Sequence, residues 1–240
     1  MIVRFRLDGK VRGGSLSPEH NRIVSGGEVL APEEVELLAP CLPSKIVCIG
    51  LNYREHAQEL KMKLPEEPIL FLKPPSAVQD PGKEIICPGS SARVDYEGEL
   101  AVVIGKRCKN AAAKDWEDYV LGCTCFNDVT ARDLQQKDGQ WTRAKSFDTF
   151  APFGPWIGKI DPSDADIQTR VNGETRQKSN TSDLIFDVPR LVEFISGIMT
   201  LMPGDVIATG TPPGVGQLQR GDLVEVEIEG IGVLKNSVAR

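Results

Sequence analysis

The stretch Asp95-Tyr-Glu-Gly-Glu-Leu-Ala-Val-Val-Ile-Gly105 passes without a break from acidic residues into a β-forming apolar run, and it reads as one strand entering a core. Extended side chains alternate between faces, so Asp95, Glu97 and Glu99 point the same way, with successive ones about 6.6 Å apart at the backbone. Such a row can converge on one ion. It can equally be a solvated strand end whose like charges repel, and the stretch alone leaves both readings open.

C-terminal to it, Val120 to Phe126 is a second apolar run that ends in Asn127-Asp128, which places Asp128 where a strand emerges. Thr130-Ala-Arg-Asp133 has capping-box spacing and predicts a helix from Ala131 to about Lys137, with Arg132 and Gln135 in its first turns. Residues 138–156, rich in Gly, Pro and aromatics, read as a long loop that carries Lys145. N-terminal to it, Lys45 to Gly50 reads as a buried strand, and Asn52 with Glu55 predicts a short helix over Tyr53 to about Lys61. His56 and Glu59 lie three apart on that helix, so the imidazole and carboxylate can touch as a general base and its orienting group. The same pair is also compatible with a surface histidine beside a solvated glutamate.

Elsewhere the punctuation is clear. Ile2 to Leu7 and Val24 to Leu30, separated by glycine turns, predict a small β subdomain over residues 1–42, and Pro40 and Pro43 mark the junction to a main domain over 43–240. Asn172-Gly173 signals a type I′ hairpin, Pro189 to Met199 an amphipathic helix, and Leu223 to Glu229 a strand whose glutamates face solvent. Gly204 to Gly216 reads as a strand running into a glycine-rich turn able to bring backbone N–H groups near an anion. It lacks the Gly-Lys-Ser/Thr ending of a nucleotide loop.

The 240 residues carry a net charge of −6 with no long basic run, which argues against a nucleic-acid footprint. No apolar run approaches membrane-spanning length, and the six scattered cysteines include no Cys-x-x-Cys pair. A cytoplasmic protein with reduced thiols is the expectation.

Several motifs agree in order with one family: Gly50-Leu-Asn-Tyr-x-x-His-Ala-x-Glu59, Phe71-Leu-Lys-Pro74, the acidic stretch 95–105, Phe126-Asn-Asp-Val-Thr-Ala-Arg-Asp133, Ala144-Lys-Ser-Phe-Asp148 and Thr209-Gly-Thr-Pro212. On these the chain resembles the fumarylacetoacetate hydrolase family over residues 45–238. The resemblance implies an α+β, mainly β fold, a mixed β-sandwich and β-roll core with short peripheral helices, assembled as a homodimer. It also implies that Glu97, Glu99 and Asp128 are metal ligands, and a set of hard oxygen donors favours Mg²⁺ or Mn²⁺. Lys145 and Arg132 match positions that balance a small anionic 2-oxo acid, with Gln135 and Thr211 as neutral contacts and His56, Glu59 and Lys145 as catalytic groups. Hydrolysis of an acylpyruvate-type substrate through a stabilised enolate ranks first, because it needs the water-activating dyad. Oxaloacetate-type decarboxylation ranks second and hydroxymuconate-type isomerisation third; a non-catalytic metal-binding protein of the same fold is the alternative from another class.

Overall fold

A computed structural model describes residues 1–17 and 19–239. Its centre is the antiparallel pair Gly98–Ile104 and Val120–Asn127, in register from Gly98 opposite Asn127 to Val103 opposite Gly122. Alternation sends Leu100, Val102 and Ile104 to one face and Ala101 and Val103 to the other. Both faces are covered, which is why the sequence here is continuously apolar rather than alternating. Fully burying each such side chain contributes about 1.5–3 kcal/mol.

On one side of this pair comes Val206–Ala208, which runs antiparallel to Gly98–Ile104 and parallel to Ile46–Gly50, followed by the edge strand Ile69–Lys73. On the other side lie Ala151–Gly158 and then Ile2–Leu7, joined through Ile2 opposite Ile157, so the N-terminal hairpins extend the same twelve-stranded sheet. They keep a small core of their own around Val3, Phe5, Leu16 and Ile23. A four-stranded sheet of Glu174–Asn180, Asp166–Val171, Leu223–Ile228 and Gly232–Ser237 packs Ile167, Val226, Ile228 and Leu234 against the Leu100 face. Among the described residues the α-helices are short: α1 (Arg54–Glu59), α2 (Arg132–Asp138), α3 (Thr142–Lys145) and α4 (Val188–Ile198). The fold is α+β and mainly β, as expected from the sequence. The Asn172-Gly173 turn has φ of 52° and 80°, the left-handed pair that a type I′ hairpin needs.

Several local expectations give way to tertiary contacts. The acidic stretch is two strands rather than one: Val94–Tyr96 pairs with Thr130–Ala131 and Gly216–Gln217 in a separate three-stranded sheet, and the chain leaves that sheet at Glu97. Residues 138–156 are not loop throughout, since they hold α3 and the start of the buried strand Ala151–Gly158. Neither predicted capping box forms. Asn52 is spent on Phe186 N (2.8 Å) and Thr209 O (2.7 Å), and the distant Asp183 takes the Glu55 amide at 3.0 Å instead. Thr130 sits in a strand and donates to Asp128 O at 2.8 Å, while Asp133 accepts from Ser91 and the Ala92 amide. Glu225 is buried beside Arg170 and Lys235, not solvated like an ordinary outer-face glutamate.

Candidate active site

Register brings the carboxylates together. Glu97 occupies the break between the two acidic strands, Glu99 is the second residue of the central strand, and Asp128 follows the end of its neighbour, whose Asn127 pairs with Gly98. The break is pinned by backbone: Asp128 N donates to Glu97 O at 2.8 Å, and Glu97 N donates to Asn127 Oδ1 at 3.0 Å. Gly98 is required because a Cβ there would fall 2.0 Å from Thr169 Oγ1. All three carboxylates are buried, and one oxygen from each lies within 4.8 Å of the others. That is a spacing at which one small cation can be shared.

Cations face this cluster. Lys145, at the end of α3, donates to Glu97 Oε2 at 2.8 Å and to Asp128 Oδ2 at 2.7 Å. Arg132, which opens α2, bonds Glu97 Oε1, Asp95 Oδ2 (2.9 Å) and Gln135 Oε1 (2.7 Å). Lys73, at the end of the edge strand, is fully buried and donates to Asp128 Oδ1 and to Val129 O at 2.9 Å. Lys73 was not among the residues read as functional from the sequence. Its signal was its place in the Phe71-Leu-Lys-Pro74 motif: a lysine that ends an apolar strand and is buried there needs a carboxylate partner. Asp95 is the opposite case. It does not join Glu97 and Glu99, because Arg93 (2.9 and 3.1 Å) and Arg132 neutralise it on the other side of the break.

These environments push the titratable groups in opposite directions. Burial raises the Glu99 carboxyl well above the usual range, reinforced by the neighbouring Asp128 and Glu97 charges. Burial would raise Glu97 too, but Lys145 and Arg132 outweigh it and hold that carboxyl well below the ordinary value. Burial lowers the Lys73 ammonium more than Asp128 restores it, whereas Asp128 and Glu97 together overcome burial at Lys145 and raise it.

The donor set fits a divalent cation. All three groups offer hard oxygen, and among the described residues the one hydrogen-bond donor on Glu99 is the Gly210 amide, at 2.8 Å, which leaves that carboxylate with acceptor capacity. Three carboxylates against Lys73, Arg132 and Lys145 make a neutral cluster, so a dication would make it net positive and receptive to an anionic ligand.

The cluster forms the floor of a cavity of about 330 Å³. His56, Glu97, Glu99, Asp128, Arg132, Gln135, Lys145 and Thr211 all line it, and Glu59 stands behind His56. His56 Nδ1 lies 2.8 Å from Glu59 Oε2, and Glu59 Oε1 accepts from Gly214 N at 3.2 Å. With Nδ1 turned to the carboxylate, Nε2 is the nitrogen left for a substrate or water. Thr211 Oγ1 donates to Gly98 O at 2.9 Å and accepts from Gln177 Nε2 at 2.8 Å. The glycine-rich turn thus does bring amides to anions, but these anions are the chain's own Glu99 and Glu59.

Residues 45–239 match the model of the fumarylacetoacetate (FAA) hydrolase C-terminal family. The 5-carboxymethyl-2-hydroxymuconate delta-isomerase of Mycobacterium smegmatis is 46% identical with a TM-score of 0.93, covering 100% of this chain and 98% of that one. A fumarylacetoacetate hydrolase from the psychrophile Exiguobacterium antarcticum is 37% identical with a TM-score of 0.89, covering 100% and 99%. The mitochondrial oxaloacetate tautomerase of Bos taurus is 46% identical over 99% of this chain and 79% of its own length. With the motifs, the fold and the family match all in agreement over the same residues, the chain is an enzyme of the fumarylacetoacetate hydrolase family.

Proposed function

We propose that this enzyme is divalent-cation-dependent and acts on 2-oxo acids, and that its central step is proton transfer at the carbon beside the 2-oxo group. The observation that carries the reading is the His56–Glu59 pair, 2.8 Å apart, on the same cavity as the three-carboxylate cluster. Glu97, Glu99 and Asp128 would hold Mg²⁺ or Mn²⁺. The cation, when bound, supplies Lewis-acid stabilisation of negative charge on the 2-oxo oxygen of the substrate. Arg132 and Lys145 balance the carboxylates, so that the substrate's own carboxylate is drawn toward the floor, and the Gln135 amide and Thr211 offer neutral contacts. His56 Nε2 takes the proton from C3, with Glu59 fixing the ring and stabilising the imidazolium that forms. Returning the proton to oxygen gives tautomerisation, and returning it to a conjugated carbon gives isomerisation.

Proton transfer is here ranked ahead of hydrolysis, since relatives named as a tautomerase and an isomerase are 46% identical to nearly the whole chain. The second reading is hydrolysis of an acylpyruvate. Glu59 is 44% exposed at the rim, so water can reach the dyad, and His56 would then deprotonate water in place of carbon. Decarboxylation of oxaloacetate needs no such base. A homodimer is proposed on the family resemblance, with light scattering as its check.

The test is an absorbance assay of the enol with Mg²⁺ or Mn²⁺ on oxaloacetate, hydroxymuconates and acylpyruvates. We expect cation-dependent enol–keto conversion that EDTA abolishes. Cation binding without turnover of any of these 2-oxo acids would overturn the assignment.

A further inference from the structure

Glu174–Asn180 is an edge strand of the four-stranded sheet and is polar or charged along its whole length, yet one of its residues, Gln177, is buried. A β-bulge accompanies that burial. Thr169 of the neighbouring strand faces Gln177 and Arg170 faces Thr175, so Arg176 is an extra residue in the ladder. Bulges re-aim side chains, often beside active sites. Here Gln177 turns inward, and Arg176 O presses on the glycine-rich turn so closely that a Cβ on Gly214 would come within 2.2 Å of it.

The buried amide has its polar atoms committed at both ends. Gly98 N donates to Gln177 Oε1 at 2.9 Å, which fixes the end of the amide that is oxygen, and Nε2 donates to Thr211 Oγ1 and Pro212 O, both at 2.8 Å. One side chain thus ties Gly98, the residue between Glu97 and Glu99, to the middle of the turn. The ends of that turn reach both halves of the site: Gly210 N donates to Glu99, and Gly214 N donates to Glu59, which holds His56. The ends have anchors of their own, Thr209 N on Leu100 O at 3.0 Å and Tyr96 OH on Gly214 O at 2.9 Å. The middle is joined to the carboxylate strand by Gln177 and by the Thr211 hydroxyl on Gly98 O. Gln177 does not line the cavity, so any effect it has on the reaction passes through the groups it holds.

We propose that Gln177 is a positioning residue for the reaction: it sets the turn 209–214 on the Glu97–Glu99 strand and thereby fixes where the Glu59–His56 pair stands relative to the carboxylate floor. This rests on the reading of His56 as the base and Glu59 as its orienting group. The floor keeps other anchors without Gln177, since Asp128 N holds Glu97 O, Asn127 Oδ1 holds Glu97 N and Gly210 N holds Glu99. Loss of the amide should therefore loosen the base more than the cation site.

A double-mutant cycle with Glu59 tests it, run on whichever of oxaloacetate, hydroxymuconates and acylpyruvates the Mg²⁺-loaded enzyme turns over. Gln177→Met removes all three hydrogen bonds at similar side-chain length; Gln177→Glu keeps an acceptor for Gly98 N and loses the donors to the turn. Each should lower kcat roughly tenfold with KM within about threefold, the pattern of a misplaced base. Mn²⁺ binding in calorimetry should stay within about threefold of the parent. In a Glu59→Ala background the same substitutions should lower kcat less than about twofold, because the link they act through is already gone. An equal factor in both backgrounds would mean that Gln177 merely supports the fold, and a folded variant with parental kcat, or one that loses Mn²⁺ binding along with turnover, would also overturn the proposal. Should Gln177→Met not fold, Gln177→Glu alone decides between these outcomes. If Glu59→Ala by itself keeps parental turnover, or no 2-oxo acid is turned over, the functional reading falls and this proposal falls with it.

Discussion

At the scale of single residues, the three carboxylates are not equivalent, and their neighbours say how each should fail. Asp128 satisfies Lys73 at one oxygen and Lys145 at the other, so Asp128→Ala leaves the buried Lys73 ammonium without a carboxylate and Lys145 with Glu97 alone. Leaving a buried charge uncompensated costs about 3–5 kcal/mol. Glu99 has one backbone donor and two like-charged neighbours, so Glu99→Gln relieves repulsion. Both variants should lose Mn²⁺ binding in calorimetry, while thermal unfolding without added metal shows Asp128→Ala strongly destabilised and Glu99→Gln not. Equal Tm losses would contradict the pairing seen here. His56 is a different kind of residue, since it touches no member of the carboxylate cluster. His56→Ala should lower turnover by roughly two to four powers of ten, the range for removing a positioned general base, and spare Mn²⁺ affinity. Glu59→Gln should act in the same direction but less far, because the imidazole remains and only its orientation is weakened.

At the scale of elements, α4 shows how a helix peripheral to the site is held. Asp187 Oδ1 accepts from the Arg190 amide at 3.0 Å, Pro189 occupies the first turn, and Leu191, Val192 and Ile195 form a buried stripe against the central sheet. Asp187→Ala should cost about 1 kcal/mol. In a chain of this length that lowers Tm by roughly 2–4 °C. The same substitution should leave oxalate and cation binding unchanged, since Asp187 lines no part of the active-site cavity. The break at Glu97 is the element whose geometry matters most for the chemistry. A continuous strand would hold the glutamates in one row, whereas the break carries Asp95 away to its arginines and leaves Glu97 and Glu99 for Asp128.

At the scale of the whole molecule, one carboxylate closes the sheet between distant parts of the chain. Asp205 precedes Val206–Ala208, which pairs in parallel with Ile46–Gly50, and it gathers Ser44 Oγ (2.6 Å), Ser44 N (2.9 Å), the Lys45 ammonium and Met202 N (2.8 Å). Burial would raise this carboxyl, but the bonds from Lys45, Ser44 and the Met202 amide outweigh it and hold it below the usual range. A group whose folded value is depressed contributes stability that is present above its unfolded value, about 3.9, and lost as pH falls through the folded value. Acidification below about pH 4 should therefore remove this contribution from the parent protein. Asp205→Asn, neutral throughout, should be less stable at pH 7 and show a flatter decline of Tm in that acid window. Parallel acid profiles for the two proteins would rule out the linkage.

How much of this was legible in the sequence follows from how local each signal is. The central strands, the Asn172-Gly173 turn, α4 and the pairing of His56 with Glu59 depend on residues a few positions apart, so alternation, helical spacing and turn chemistry were enough to find them. The motifs also named the carboxylates and the cations Arg132 and Lys145, because side-chain chemistry survives without a fold. What only tertiary structure decided is who partners whom. Asn52 and Thr130 abandon their predicted caps because partners far along the chain or in another strand compete for the same polar atoms, and Asp183 replaces Asn52 from more than a hundred residues away. Lys73 becomes part of the site, and Asp95 leaves it, because charge pairs form across strands whose adjacency sheet order alone sets. The cavity lined by Trp141, Phe71 and Met62 is the clearest case: the sequence contains each residue, but a pocket is a relation between three segments, and only folding brings them together.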